Sequence, residues 1–181
     1  MKVKSVIQQG EIISIALQSD RYEKQRQFIE DRTGVLMPEM HEIPFNNRQL
    51  FRVLMEPLNV HIYTDDGHHV FYLKQGMITD FASIPRALRG RFIMQVDNDD
   101  PRILIPSLVH DAGCSFHIFG DDRKAFTYNN RLFKAMCRYY GFNMWQSRLL
   151  YSGVQSPVGW CLYNNGRGYE SYLRAEYERI D

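Results

Sequence analysis

The sequence predicts an α+β fold: a small antiparallel β-sheet followed by a cluster of about three α-helices, with an extension at each end. Two short extended runs joined by Asp65-Asp66-Gly67 predict the sheet, because that tripeptide readily reverses an extended chain. Apolar residues at helical spacing from Phe126 to Tyr139, stopped by Gly141, predict the helical half. The 181 residues suit one domain that buries a core without disulfides or a structural metal. The expected divisions are an N-terminal arm over 1–47, a core over 48–159 and a C-terminal arm over 160–181.

The first strand is expected within Val3 to Leu17, where Ile13, Ile15 and Leu17 alternate. Ser19-Asp20 then offers a helix cap, with Glu23 completing a capping box. The helix runs to about Thr33 and stops at Gly34. Its apolar residues are few (Tyr22, Phe28 and Ile29), so it is expected to pack on a neighbour's surface or on another subunit. Met37 to Asn47 carries two prolines and no period, and reads as a linker. Leu50–Met55, Val60–Tyr63 and Val70–Leu73 read as strands of the small sheet.

Beyond Gly76 the chain enters Thr79-Asp80-Phe81-Ala82-Ser83-Ile84-Pro85-Arg86. After a loop closed by Asp97-Asn98-Asp99-Asp100-Pro101, a helix is expected from Pro106 or Ser107, with Leu108, Val109 and Ala112 inward. A long helix follows from about Arg123 to Tyr140, and another from about Met144 to Gly153. The tail is expected to end in a short helix from Tyr169 to Arg179.

Composition narrows the function classes. A formal net charge of +1 gives no electrostatic case for nucleic acid as the main partner. Eleven Tyr and eleven Phe favour a packed core or surfaces that meet other proteins. Cys114, Cys137 and Cys161 show no C-x-x-C spacing, which suggests reduced thiols made in a cytoplasm. The opening six residues are too short an apolar run for a signal peptide, and no stretch reaches transmembrane length.

Two constellations can carry chemistry. In the Thr79–Arg86 block, Asp80 suits a turn where it accepts backbone N–H groups, and Ser83 suits the cap of the turn that follows. Arg86 either pairs with Asp80 or binds an anion. The plainer reading is a tight corner locked by its own polar side chains. The second constellation is His110-Asp111. An imidazole there suits a general base or a metal ligand, oriented by Asp80 or Asp111. The plainer reading is a half-buried histidine bonded to Asp80 within the core. A resident metal or other cofactor is not expected. On one helix His110 and His117 would stand about 10 Å apart, too far to share an ion. His68 and His69 are adjacent on a strand and point to opposite faces. No P-loop, dinucleotide fingerprint, serine elbow or H-E-x-x-H occurs.

Taken in order, the Asp66-Gly67 hairpin, Gly76, the Thr79–Arg86 block and His110-Asp111 resemble an uncharacterised phage and prophage family. It is the domain of unknown function numbered 1353, and the resemblance runs from about Leu50 to Gly153. In its pattern an aromatic residue stands three positions after the Asp, and the next helix carries Ala-Asp-Arg-x-Phe. Here Cys114 takes the aromatic position, and Asn129-Asn130-Arg131-Leu132-Phe133 takes the helix, with Asn130 in place of Asp. An amide cannot carry the charge that stabilises an imidazolium or a cation. A His-Asp helix facing a second helix is also faintly similar to the secreted phospholipases, although their glycine loop and disulfides are missing here.

Three functions are therefore in view. The first is a structural component of a tailed-phage virion, in the tail, baseplate or head–tail region, partnered by other virion proteins or its own copies. The second is a cell-envelope hydrolase using His110 with Asp80 or Asp111, in which Arg86, Ser83 and Asn130 bind. The third is a cytoplasmic factor that binds a host protein.

Overall fold

Two antiparallel sheets and five helices make up the described fold, in a computed structural model covering residues 1–43, 45, 51–79, 100–115, 117–165 and 175–180. The larger sheet holds β1 (Val3–Gln9), β4 (Leu58–Thr64), β5 (His68–Leu73) and β7 (Ala175–Ile180), in the order β1-β4-β5-β7. The smaller holds β2 (Ser14–Ala16), β3 (Arg52–Leu54) and β6 (Ile78–Thr79), in the order β2-β3-β6. The expected α+β class is what the chain adopts.

The hairpin β4–β5 turns where Asp65-Asp66-Gly67 said it would, with Gly67 at φ 146°, a conformation L side chains rarely adopt. Along β4 every second residue is buried, so Leu58, Val60 and Ile62 face the core.

The predicted first strand is two strands in different sheets. Gly10, at φ 101°, separates them. The C-terminal helix predicted over Tyr169–Arg179 is contradicted where it is described: Ala175–Ile180 is β7, paired antiparallel with β5. Alternation explains this, since Tyr177 faces inward while Glu176 and Glu178 face water. The Tyr177 hydroxyl meets His69 Nδ1 at 2.9 Å, and its ring lies 5.1 Å from both Phe71 and Phe119.

Helix α1 (Tyr22–Thr33) ends at Gly34 in the left-handed conformation, as expected. Its start differs. A 3-10 turn occupies Ser19–Arg21, and Arg21 sits at the cap with no side-chain bond. Of the two partners expected for this helix, a neighbouring surface of its own chain takes its apolar side. Tyr22 and Ile29, seven apart on one face, belong to the main core of its own chain, and the Tyr22 hydroxyl donates to the Pro38 carbonyl at 2.6 Å.

Helix α2 (Pro101–Ser115) begins five residues before the expected start. Asp100 accepts from the Arg102 backbone N–H at 2.9 Å and holds the first turn, while Pro106 lies inside the helix. An internal proline forfeits a backbone bond. Burial offsets this, because Ile103 and every residue from Ile105 to Cys114 are buried.

Helix α3 (Arg123–Tyr139) is capped by Asp122, which accepts from Ala125 N–H. Helix α4 (Met144–Val154) carries a capping box of Asn143 and Gln146. Helix α5 (Pro157–Asn165), not anticipated from the sequence, packs Trp160 and Tyr163 on Phe126. Helix α3 packs on both α2 and α4, and Ile103, Phe133, Cys137 and Leu150 of the three helices share one apolar cluster. No helix among the described residues is long and apolar enough to cross a membrane.

Candidate functional site

The pairing of α2 with α3, and of β6 with β3, brings four polar side chains together in the interior. Thr79 ends β6 and is 1% exposed; His110 and Asp111 lie midway along α2 and are 8% and 4% exposed; Asn130 on α3 is fully buried. The Thr79 hydroxyl donates to Asp111 Oδ2 at 2.5 Å. The first residue of the Thr79–Arg86 block therefore touches the His-Asp pair. Asp80, Ser83 and Arg86 lie outside the described residues.

Helix contact depends on Gly113. A Cβ there would come within 2.2 Å of Asn129 Oδ1, so only glycine lets α3 seat Asn129 against α2. Asn129 Nδ2 then donates to the His110 carbonyl at 3.1 Å and to Cys114 Sγ at 3.2 Å. Asn130, the next residue, turns toward the His110 ring. Phe133, one turn on, covers that ring at 4.9 Å between centroids.

The proton on His110 is fixed by a chain of hydrogen bonds. Thr127 donates its one hydroxyl hydrogen to the Arg123 carbonyl at 2.8 Å. It therefore accepts from Gln155 Nε2, at 3.3 Å. That orientation leaves Gln155 Oε1 to accept from Asn130 Nδ2 at 2.9 Å. Asn130 Oδ1 then faces His110 Nε2 at 2.8 Å. Two acceptors cannot bond, so Nε2 carries a hydrogen. The other nitrogen, Nδ1, stands 3.8 Å from Asp111 Oδ1. A bare lone pair there would oppose a carboxylate, whereas a second proton makes an ion pair. Burial works against a charged ring, but the Cys114 sulfur and the Asp111 carboxylate outweigh it and raise the imidazole from 6.5 to about 10.

An imidazole in this state holds a proton rather than taking one. It can anchor β6, α2 and α3 together, and at neutral pH it is not a ready base. Among the described residues no group of three or more His, Cys, Asp or Glu is placed to hold a metal ion.

The sequence reading gave Cys114 and Asn129 no role at this centre. Cys114 Sγ lies 3.6 Å from His110 Nε2. The signal was present: on a helix continuous through 110–114, positions i and i+4 share a face.

Comparison with known proteins adds one finding to this geometry. A family model described as "Protein of unknown function (DUF1353)" matches residues 52–154, from β3 to the end of α4. No curated protein and no solved structure matches the chain. With more than half its length matched, and with the His110-Asp111 helix and its facing helix inside the match, the chain belongs to the family described as DUF1353.

Proposed function

We propose that the chain is a structural component of a tailed-bacteriophage virion, in its tail, baseplate or head–tail region, on a domain whose His-Asp site serves as an internal clamp. The observation that carries the reading is the state of His110. It is buried, its Nε2–H is spent on a neutral amide, and the Asp111 carboxylate stands 3.8 Å from its other nitrogen. Such a group ties elements together and performs no proton abstraction at neutral pH. The surface supports a role in protein contact. Leu36, Trp145 and Val158 are about 70% exposed and offer apolar side chains to a partner. The phage setting rests on the resemblance of the Thr79–Arg86 and His110-Asp111 motifs. Mass spectrometry of purified particles tests the reading: the protein is expected at stoichiometric levels, and its absence from particles would sink it.

One observation favours a second reading, a cell-envelope hydrolase. His110 Nε2 is held from an opposing helix at 2.8 Å with Asp111 beside the ring, an arrangement that positions an imidazole firmly. Purified protein assayed on phospholipid vesicles and on peptidoglycan separates the two. Activity lost in His110→Ala supports the hydrolase, and activity retained in that variant removes it.

A further inference from the structure

A groove of about 580 Å³ lies between the start of β1 and α3. It is lined by Met1, Lys2, Val3, Arg131, Lys134, Ala135, Arg138 and Tyr139. Four of these side chains are cationic, and among the described residues no carboxylate lines the groove. A chain of net charge +1 has almost equal numbers of both signs, so this local excess is a feature of the site and not of the composition.

Arg131, Lys134 and Arg138 stand at i, i+3 and i+7 of α3, which puts them on one stripe of the helix. Like charges at that spacing repel each other. Among the described residues none of the three pairs with a carboxylate. Arg138 has a structural task, since it lies in the last turn and its Nη1 donates to the Phe142 carbonyl at 2.8 Å. Lys134 rests its ammonium 4.9 Å from the Tyr151 ring. Arg131 lies two turns before the helix end, beyond the reach of the helix dipole, and is exposed. On the facing hairpin Asp65 accepts from the Lys2 backbone N–H at 2.8 Å and lies 3.8 Å from the Met1 ammonium; it is not part of the lining.

We propose that the groove between β1 and α3 binds a polyphosphate-bearing anion. Guanidinium groups offer paired N–H donors that match phosphate oxygens, and ammonium groups add point charge between them. From Arg131 to Arg138 the helix advances about 10 Å, a span that a chain of two or three phosphoryl groups can bridge. The volume suits a ligand of that size and, in addition, a nucleoside, for which the half-exposed Tyr139 ring offers a stacking face.

Isothermal titration calorimetry of the full chain tests this, with inorganic triphosphate, ATP and the tricarboxylate tricarballylate at fixed ionic strength. Triphosphate is expected to bind saturably, and R131Q/K134Q is expected to weaken it by about tenfold or more. K24Q, on α1, serves as the remote charge control and is expected to bind as wild type does. Equal affinity for triphosphate and ATP assigns the site to the phosphate chain alone, while tighter ATP assigns it to a nucleotide. Either supports the proposal. Because Lys134 is half-buried against Tyr151, circular dichroism of R131Q/K134Q is the fold control, and a spectrum matching wild type is expected. Absence of saturable binding, binding untouched by R131Q/K134Q, or tricarballylate matching triphosphate would each overturn it.

Discussion

His110 and His69 are both buried, and their surroundings shift their proton affinities in opposite directions. Tyr128 gives its hydroxyl hydrogen to Asp66 Oδ2 at 2.9 Å, so toward His69 Nε2 at 3.2 Å it accepts. His69 Nε2 thus carries a hydrogen, and burial lowers the ring's affinity for a second proton. His110 is shifted the other way: burial opposes its charge, but Cys114 and the Asp111 carboxylate outweigh burial and raise its affinity for a proton. The Asn130 amide supplies an acceptor there without a charge. Replacing it by leucine would strand the His110 N–H and the Gln155 carbonyl oxygen. Asn130→Leu is expected to cost about 1–3 kcal/mol in urea denaturation. A loss under a few tenths would mean that the amide chain does not hold the ring. Thr79 and Asp111 are tied in the same way, which is how the first residue of the Thr79–Arg86 block enters the clamp.

Elements carry the next level of the account. Gly113 sets the closeness of α2 to α3, so Gly113→Ala is expected to destabilise by roughly 1–3 kcal/mol despite alanine's better helix propensity. A neutral or stabilising outcome would contradict the contact. The β7 strand closes the larger sheet. Tyr177→Ala removes a ring packed on Phe71 and Phe119, and should cost roughly 2–3 kcal/mol in thermal or chemical melts. Much of this level was legible in the sequence. Asp65-Asp66-Gly67, Gly34 and Gly141 marked turns and ends, because each position needs a backbone that few residues tolerate. Helix α3 was legible through Leu132, Phe133 and Met136. Strand β7 was not. Its alternation spans six residues, most of them charged or polar, and the apolar face is completed only by β5. The start of α2 was missed because a proline inside a helix reads locally as a helix start. Only the burial of nearly the whole helix makes Pro106 tolerable. At the site, the pairing of residues 110 and 130 depends on how two helices dock, which no local pattern encodes.

At the scale of the molecule, the two histidines bracket the pH range of stability. His69 has a lowered value in the fold. As pH falls below about 6.5, its ordinary value, the unfolded chain gains a proton that the folded one resists, so stability falls toward acid. His110 has a raised value. Its contribution is fully present below about 6.5 and is lost as pH rises to about 10, where the folded ring gives up its proton. Stability against urea should therefore decline on both sides of neutrality. His110→Gln should flatten the alkaline limb, and a limb unchanged in that variant would assign it to other groups. The clamp joins β6, α2 and α3 around the core shared by both sheets, so its loss is expected to lower the cooperativity of unfolding as well as its midpoint.

In this reading His110 is an internal, doubly protonated clamp. The most direct test is ¹⁵N imidazole NMR of the folded chain, followed as pH is raised. The account predicts that both ring nitrogens of His110 stay protonated through neutral pH, with the proton lost only as pH approaches about 10. The Nε2–H should show a scalar or exchange signature of its bond to Asn130. A His110 ring with one bare nitrogen at pH 7 would contradict the clamp and return the residue to the role of a base.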